Sequence, residues 1–251
     1  MIKVSLLKLF ILLNFLFSNI SYSQDNLDLD KYLTWYDKQL GIENTHLLNG
    51  KQYFDKDKIV LYENKHAYFL TDKFFKGTVD YNDQIYTDIK LQYNLELDAL
   101  IINLNINEKS LVLKLIKSNI QSFTIDQRKF LNVNSLSDKN TLSDPGFMEL
   151  LYTKNDIFLL KKYEKSRRTK IKQSGRRRHS FVYFMEKTKY FVLKERIVYK
   201  ADSKSELLDA FPRYKEEIKS FYKLNWKLKQ KYPDIFMKNL FEKVIVLNPV
   251  E

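Results

Sequence analysis

The 251-residue sequence has no cysteine, five glycines, four prolines and three histidines. Without cysteine the chain can form no disulfide, offer no thiol nucleophile and carry no lipoprotein anchor, so its core must hold it together unaided. His46, His66 and His179 stand twenty or more residues apart, with no HxxxH or HExxH spacing to set two ligands on one helix face, and no metal site or cofactor is expected. The Asp28–Asp30 and Asp55–Asp57 runs lack the glycine and terminal glutamate of a calcium loop. There is no G-x-S-x-G and no glycine-rich phosphate loop. A glycosidase needs only two suitably spaced acids, but Asp88 on the polar face of the most acidic strand reads as a solvated surface group. We therefore expect no enzyme, and keep a hydrolase with an unrecognised carboxylate site as the remote alternative.

What is present bounds the compartment and the class. The chain is 44% hydrophobic and 29% charged, enough to fold around a sizeable core. It opens MIKVSLLKLFILLNFLFSNISYSQ: Lys3 and Lys8 precede an apolar stretch from Leu6 to Phe17, and Ser21 and Ser23 sit where a cleavage site wants small residues. The expectation is a signal peptide over residues 1–23, cleavage near Ser23, and export to the periplasm or beyond. Asn14 and Ser18 interrupt an apolar run shorter than the ~20 residues a spanning helix needs, so no transmembrane span is expected in the mature chain.

Charge is unevenly placed. Residues 24–150 hold 15 basic and 19 acidic residues, whereas residues 151–251 hold 26 basic and 12 acidic. Scarce glycine and proline beside abundant Lys, Asn, Ile, Tyr and Phe suggest AT-rich coding, which raises lysine everywhere. A split between net −4 and net +14 therefore exceeds codon bias and points to a placed basic surface.

Periodicity gives one α+β domain over 24–251: a short N-terminal helix, a curved antiparallel sheet over 60–200 in meander or half-barrel form, and C-terminal helices over 203–243. Asp28 to Leu40 carries Leu29, Leu33, Tyr36 and Leu40 at helical spacing before Gly41, within an N-terminal region spanning 24–45. In QIYTDIKLQY, alternation puts Ile85, Thr87, Ile89, Leu91 and Tyr93 on one face. Further strands are expected at 99–106, 111–117, 121–125, 129–133, 147–152, 157–163, 180–186, 190–194 and 196–200, and so many must curl, close or split. Ser203 and Glu206 form a capping box, and Pro212 opens a helix expected to run to Tyr232, where Pro233 stops it.

Two basic features stand out as candidate anion-binding residues. Between IFLLKKY and HSFVYF lies a connection of about a dozen residues, bearing Arg167, Arg168, Lys170, Arg176, Arg177 and Arg178. It is either a self-repelling flexible loop or two arms of a twisted ribbon that close on an anionic group; the guanidinium fork suits phosphate or carboxylate. On the helix after Pro212, Lys215, Lys219, Lys223 and Lys227 form an i, i+4 ridge with Tyr222 and Trp226 at its edge, a pattern suited to a headgroup layer or a sugar polymer.

The stretches FKGTVDYNDQIYTDIKLQYNLELDALIINL, IQSFTIDQRKFLNV, GFMELLY and SKSELLDAFPRYKEEIKSFY resemble a large group of secreted proteins of Bacteroidetes to which no activity is assigned. The resemblance covers most of the mature chain and implies that the basic segment is a family feature. It also implies that Gly77, Tyr81, Tyr86 and Tyr93 serve a turn and the core. The function expected is that of an exported, non-enzymatic envelope protein holding anionic lipid, polysaccharide or an acidic protein through its basic C-terminal surface. An exported chain meets nucleic acid only in an extracellular matrix, so that partner is not expected. The alternative is a periplasmic carrier or chaperone of apolar ligands inside a half-barrel.

Overall fold

The computed structural model of the protein describes residues 45–246, apart from 62, 64, 141–143, 155 and 175. The expected signal peptide and N-terminal helix lie outside the described residues. Twelve strands follow one another: β1 (Lys51–Gln52), β2 (Phe75–Tyr81), β3 (Gln84–Asn94), β4 (Ala99–Ile106), β5 (Lys109–Lys114), β6 (Ile120–Ile125), β7 (Arg128–Asn132), β8 (Lys139–Asn140), β9 (Phe147–Lys154), β10 (Ile157–Ser174), β11 (Arg177–Lys194) and β12 (Ile197–Lys200). They form one open sheet in the order β1-β5-β4-β3-β2-β6-β7-β9-β10-β11-β12-β8, antiparallel throughout except where β8 lies parallel beside β12. Helices α1 (Val133–Leu136), α2 (Lys204–Ala210), α3 (Lys215–Leu224), α4 (Trp226–Lys231) and α5 (Pro233–Leu240) complete the fold. No helix among the described residues is long and apolar enough to cross a membrane.

Scarce glycine does not prevent tight hairpins here. The two-residue turns Asn82-Asp83, Asn107-Glu108, Asp126-Gln127 and Glu195-Arg196 all have positive φ at both positions. That is the conformation whose twist suits antiparallel neighbours, and three of the four pairs begin with Asn or Asp, the residues that reach it most readily after glycine. Gly77 lies inside β2 rather than in a turn. A Cβ there would overlap the Thr124 carbonyl oxygen on β6, so close strand approach is what requires glycine.

The simple alternation expected for β3 fails at one place. Gly77 of β2 faces Ile89 and Val79 faces Tyr86, so β3 carries an extra residue between these pairs, and Asp88 there has φ +58°. The bulge turns the strand over. Tyr86 therefore joins Ile89, Leu91 and Tyr93 inside, while Ile85 and Thr87 are only half-buried.

Aromatic rings fill the core against the first half of the sheet. Phe123 stacks on Phe130 at 4.9 Å, and Tyr93 meets Phe123, Phe130 and Phe147 edge-on. Tyr81 and Tyr86 are buried in the same cluster. The other half of the sheet is covered on both sides. One side meets the helices through Leu159, Tyr190 and Val192; the other packs Leu131, Val133, Met148, Leu160, Phe191 and Leu193 together.

The capping box forms as the sequence requires: Glu206 N–H donates to Ser203 Oγ at 3.2 Å, and Ser203 N–H to Glu206 Oε2 at 2.9 Å. The long helix expected from Pro212 to Tyr232 is instead three pieces: a 3-10 turn over Pro212–Tyr214, then α3 and α4. The break falls at Asn225, whose φ −113° and ψ 24° depart from helical values and whose side-chain amide donates to the Phe221 carbonyl. Pro233 does not merely stop a helix; it occupies the first turn of α5, where its missing N–H is harmless.

Candidate anion-binding ribbon

β10 and β11 are eighteen residues each and pair without interruption from Phe158↔Leu193 to Ser174↔Arg177. The dozen-residue connection expected from the sequence is thus two arms of one ribbon joined through residues 175 and 176, and the flexible-loop reading is overturned. Thr169, Ile171, Phe181, Val182, Tyr183 and Phe184 supply the β-branched and aromatic side chains that favour extended pairing.

The first lysines of the basic run belong to the interior. Lys161 is 9% exposed, with Nζ 2.8 Å from both carboxylate oxygens of Asp234 on α5, and Tyr190 donates its hydroxyl to the same carboxylate. Burial opposes the Asp234 charge, but hydrogen bonds from Lys161 and Tyr190 outweigh it, and the carboxyl sits below its ordinary range. Lys162, 7% exposed, donates to Asp98 Oδ2 and the Pro145 carbonyl. The same Asp98 carboxylate receives Lys117 at 2.8 Å and the Tyr93 hydroxyl at 2.5 Å. Lys165 donates to the His66 and Tyr68 carbonyls, and burial pulls its ammonium pKa down.

β9 accompanies β10 only as far as Lys161, and β12 accompanies β11 only from Phe191 onward. From Tyr163 to Ser174 the strand rises about 37 Å. Midway, the segment around Val60 to Ala67 runs along the edge of β11, where Val182 N–H donates to Val60 O and Phe184 N–H to Lys65 O, and it braces one face by laying Leu61 and Ala67 over Val182 and Phe184.

Directly paired residues of antiparallel strands share a face. The braced face carries Arg167/Phe184, Thr169/Val182, Ile171/Ser180 and Gln173/Arg178; the other carries Arg168/Tyr183, Lys170/Phe181 and Lys172/His179, ending at Arg177. The sequence-predicted cations therefore divide. Arg168, Lys170 and Arg177 share the outer face and are exposed. Arg167 lies on the braced face, 2.7 Å from Asp57, and Arg178 is also on that side; Arg176 is in the turn. Lys172, Phe181, Tyr183 and His179 complete the outer face and were not singled out from the sequence. The period-two alternation of RRTKIKQ and HSFVYF is the signal that contains them. At the inner end, Lys65 Nζ stands 5.9 Å from the Tyr183 ring centre.

The helix lysines form a separate feature. The cluster that seats the helices uses only the hairpin base, through Leu159, Tyr190 and Val192. Lys215, Lys219 and Lys223 lie along α3, while Lys227 falls beyond the break at Asn225. Lys219 is paired with Glu216 at 2.8 Å. Trp226 is 52% exposed, with Lys227 Nζ 5.8 Å from its ring, but Tyr222 turns inward against Phe236. Burial pushes the Tyr222 phenol up to about 12.

One further place gathers polar chemistry. A cleft of about 450 Å³ beside the brace is lined by Tyr53, Phe54, Asp55, His66, Asn94 and Glu96 among others. Asn94 donates to Tyr53 (3.1 Å), and Tyr68 donates to Asp55 (2.9 Å), so the 3.0 Å contact between the phenols has Tyr53 donating. Burial raises both phenols, which keeps them as donors near neutrality. Burial, with Lys165 nearby, lowers the His66 pKa. The arrangement orients Asp55 but supplies no activated nucleophile. Among the described residues no group of His, Asp and Glu could hold a metal ion.

The chain matches no protein-family model, and comparisons with curated proteins and with solved structures find no match.

Proposed function

We propose that this is an exported, non-enzymatic envelope protein that binds an anionic partner with the outer face of the β10–β11 ribbon. The observation that carries the reading is chemical: residues 166–185 contain seven lysines and arginines and no acid, and one exposed face holds Arg168, Lys170 and Lys172 along β10 with Arg177 on β11 beside them. Four like charges carried on paired strands need no backbone ordering on binding, which favours association with a polyanion. The helix lysines are interrupted by Asn225 and partly neutralised by Glu216, so they rank second.

The test is binding of heparin and of anionic vesicles across a salt series. Arg168→Gln/Lys170→Gln/Lys172→Gln/Arg177→Gln should abolish it, and the matching change at Lys215, Lys219, Lys223 and Lys227 should not. Salt-independent binding, or full binding by the ribbon variant, overturns the proposal.

A second reading comes from the ribbon's edges, which beyond the Val60 and Lys65 bonds to Val182 and Phe184 meet no neighbouring strand among the described residues. A long hairpin without neighbouring strands invites edge pairing, and charges along it prevent that. If this were their whole role, the ribbon variant would self-associate on size-exclusion chromatography while the parent protein ignored polyanions. The carrier reading finds less support, because Tyr81, Tyr93, Phe123, Phe130 and Phe147 fill the space in which a ligand would sit. The hydrolase reading has only the Asp55 cleft, where both phenols are held as donors.

A further inference from the structure

We infer that the polyanion taken by the ribbon is single-stranded nucleic acid, met outside the cell. This deepens the proposed function and rests on it. The outer face is a ladder. Each rung sets a cation on β10 against a flat ring on β11: Arg168 with Tyr183, Lys170 with Phe181, Lys172 with His179. Successive rungs are two residues apart, about 6.8 Å, and the members of a rung stand about 5 Å apart at Cβ. Neighbouring rings keep company along the strand, with the centres of His179 and Phe181 6.4 Å apart. Arg177, on β11 across from Ser174, adds a cation toward the turn, and at the inner end Lys65, 5.9 Å from the Tyr183 ring, is paired with Glu63.

A ligand that uses such a face carries one negative charge and one flat, apolar-sided ring per repeat. Single-stranded nucleic acid has that composition: phosphates lie along the cations, and unstacked bases lie on the rings. The alternatives fit less of what is there. An acidic polysaccharide brings hydroxyl hydrogens that need acceptors, and the rungs contain no carboxylate or carboxamide. A lipid surface calls for an apolar leading edge, but Arg176, Arg177 and Arg178 cluster where the strands join, and the rings lie behind them. In a duplex the bases stack on one another and have no faces to offer three rings. An acidic peptide would satisfy the cations and leave the rings without a role.

The experiment uses the mature chain and a labelled oligothymidylate of about fifteen nucleotides, read by fluorescence anisotropy across a salt series. Engagement of the four ladder cations gives a slope of log K against log salt of about −3. Phe181→Ala and Tyr183→Ala should each weaken binding roughly 5- to 150-fold, and Phe181→Leu, which keeps bulk without a flat face, should not restore it. Circular dichroism and a urea midpoint establish that each variant is folded. Heparin, anionic vesicles and duplex DNA of the same sequence length are run alongside. If the single strand binds no more tightly than duplex, or if ring removal leaves binding unchanged, the inference is wrong while charge-driven binding of heparin would leave the wider proposal standing. If no polyanion binds, both fall together.

Discussion

The two ends of one hairpin put the same residue type to opposite uses. At the base, Lys161 and Lys162 are buried and each meets a carboxylate, Asp234 and Asp98 respectively. A few residues along the same strand, Arg168, Lys170 and Lys172 are exposed on a face whose sequence neighbourhood has no acid at all. At the base, lysine joins elements: Lys161 ties the sheet to α5, and Lys162 ties β10 to the turn between β3 and β4. At the tip, the charged side chains stand in solvent. A basic run in a sequence is thus not one feature, and burial divides it into a structural part and a part available to a partner.

The comparison breaks most sharply on stability. Asp98→Ala removes the carboxylate shared by Lys162, Lys117 and Tyr93, leaving an almost fully buried ammonium without its counter-charge. Breaking a buried pair in this way costs about 3–5 kcal/mol, which urea denaturation would report as a large fall in midpoint. Gly146→Ala should act in the same direction, since Gly146 has φ +63° and a Cβ there would overlap the Asp98 carboxylate. Each site of the four-Gln ribbon variant should shift stability by no more than about 0.5 kcal/mol. If the variant destabilises the protein as much as Asp98→Ala does, the charges at the tip are structural and the contrast between the two ends is false.

A smaller effect separates the two buried lysines through pH. The Asp234 carboxyl is held below its ordinary range, so its contribution is fully present above the unfolded value near 4 and is lost as pH falls through the lower folded value. Protonation frees Lys161 and loosens the N-terminal end of α5 from the sheet. Stability should therefore fall as pH drops below about 4, and Asp234→Asn should flatten that part of the profile while lowering stability at pH 7. An unchanged acid limb in the variant would mean that other carboxylates govern it.

How much of this was legible in the sequence depended on whether local pattern and tertiary contact agreed. Strand β4 occupies the expected 99–106, and the capping box at Ser203 and Glu206 forms, because alternation and capping are local properties. The face of β3 was misread at Asp88: a bulge costs one residue of register, and an aspartate in left-handed conformation gives no advance sign of it. The helix after Pro212 read as continuous because Tyr214, Ile218, Phe221 and Leu228 do face the core; Asn225, where it breaks, is tolerable in either state. The ribbon was mistaken in length because lysine and arginine are poor strand markers, so the pairing that Thr169, Ile171 and Val182 permit was hidden among charges. The burial of Lys161 and Lys162 could not be read at all, since their carboxylate partners lie 73 and 64 residues away in sequence.

The finest division lies between two neighbouring arginines. Arg167 and Arg168 are adjacent, equally charged and indistinguishable by composition, yet consecutive strand residues point to opposite faces. Arg167 lies on the braced side and is engaged by Asp57, while Arg168 stands on the outer face across from Tyr183. If a polyanion lies along the outer face alone, Arg168→Gln should reduce the salt slope of binding by about 0.7 to 1, and Arg167→Gln should leave it unchanged. Neither should alter the urea midpoint appreciably. Equal losses from the two substitutions would show that the ligand wraps both faces, and a larger loss from Arg167 would move the contact surface to the side that carries Asp57 and the brace.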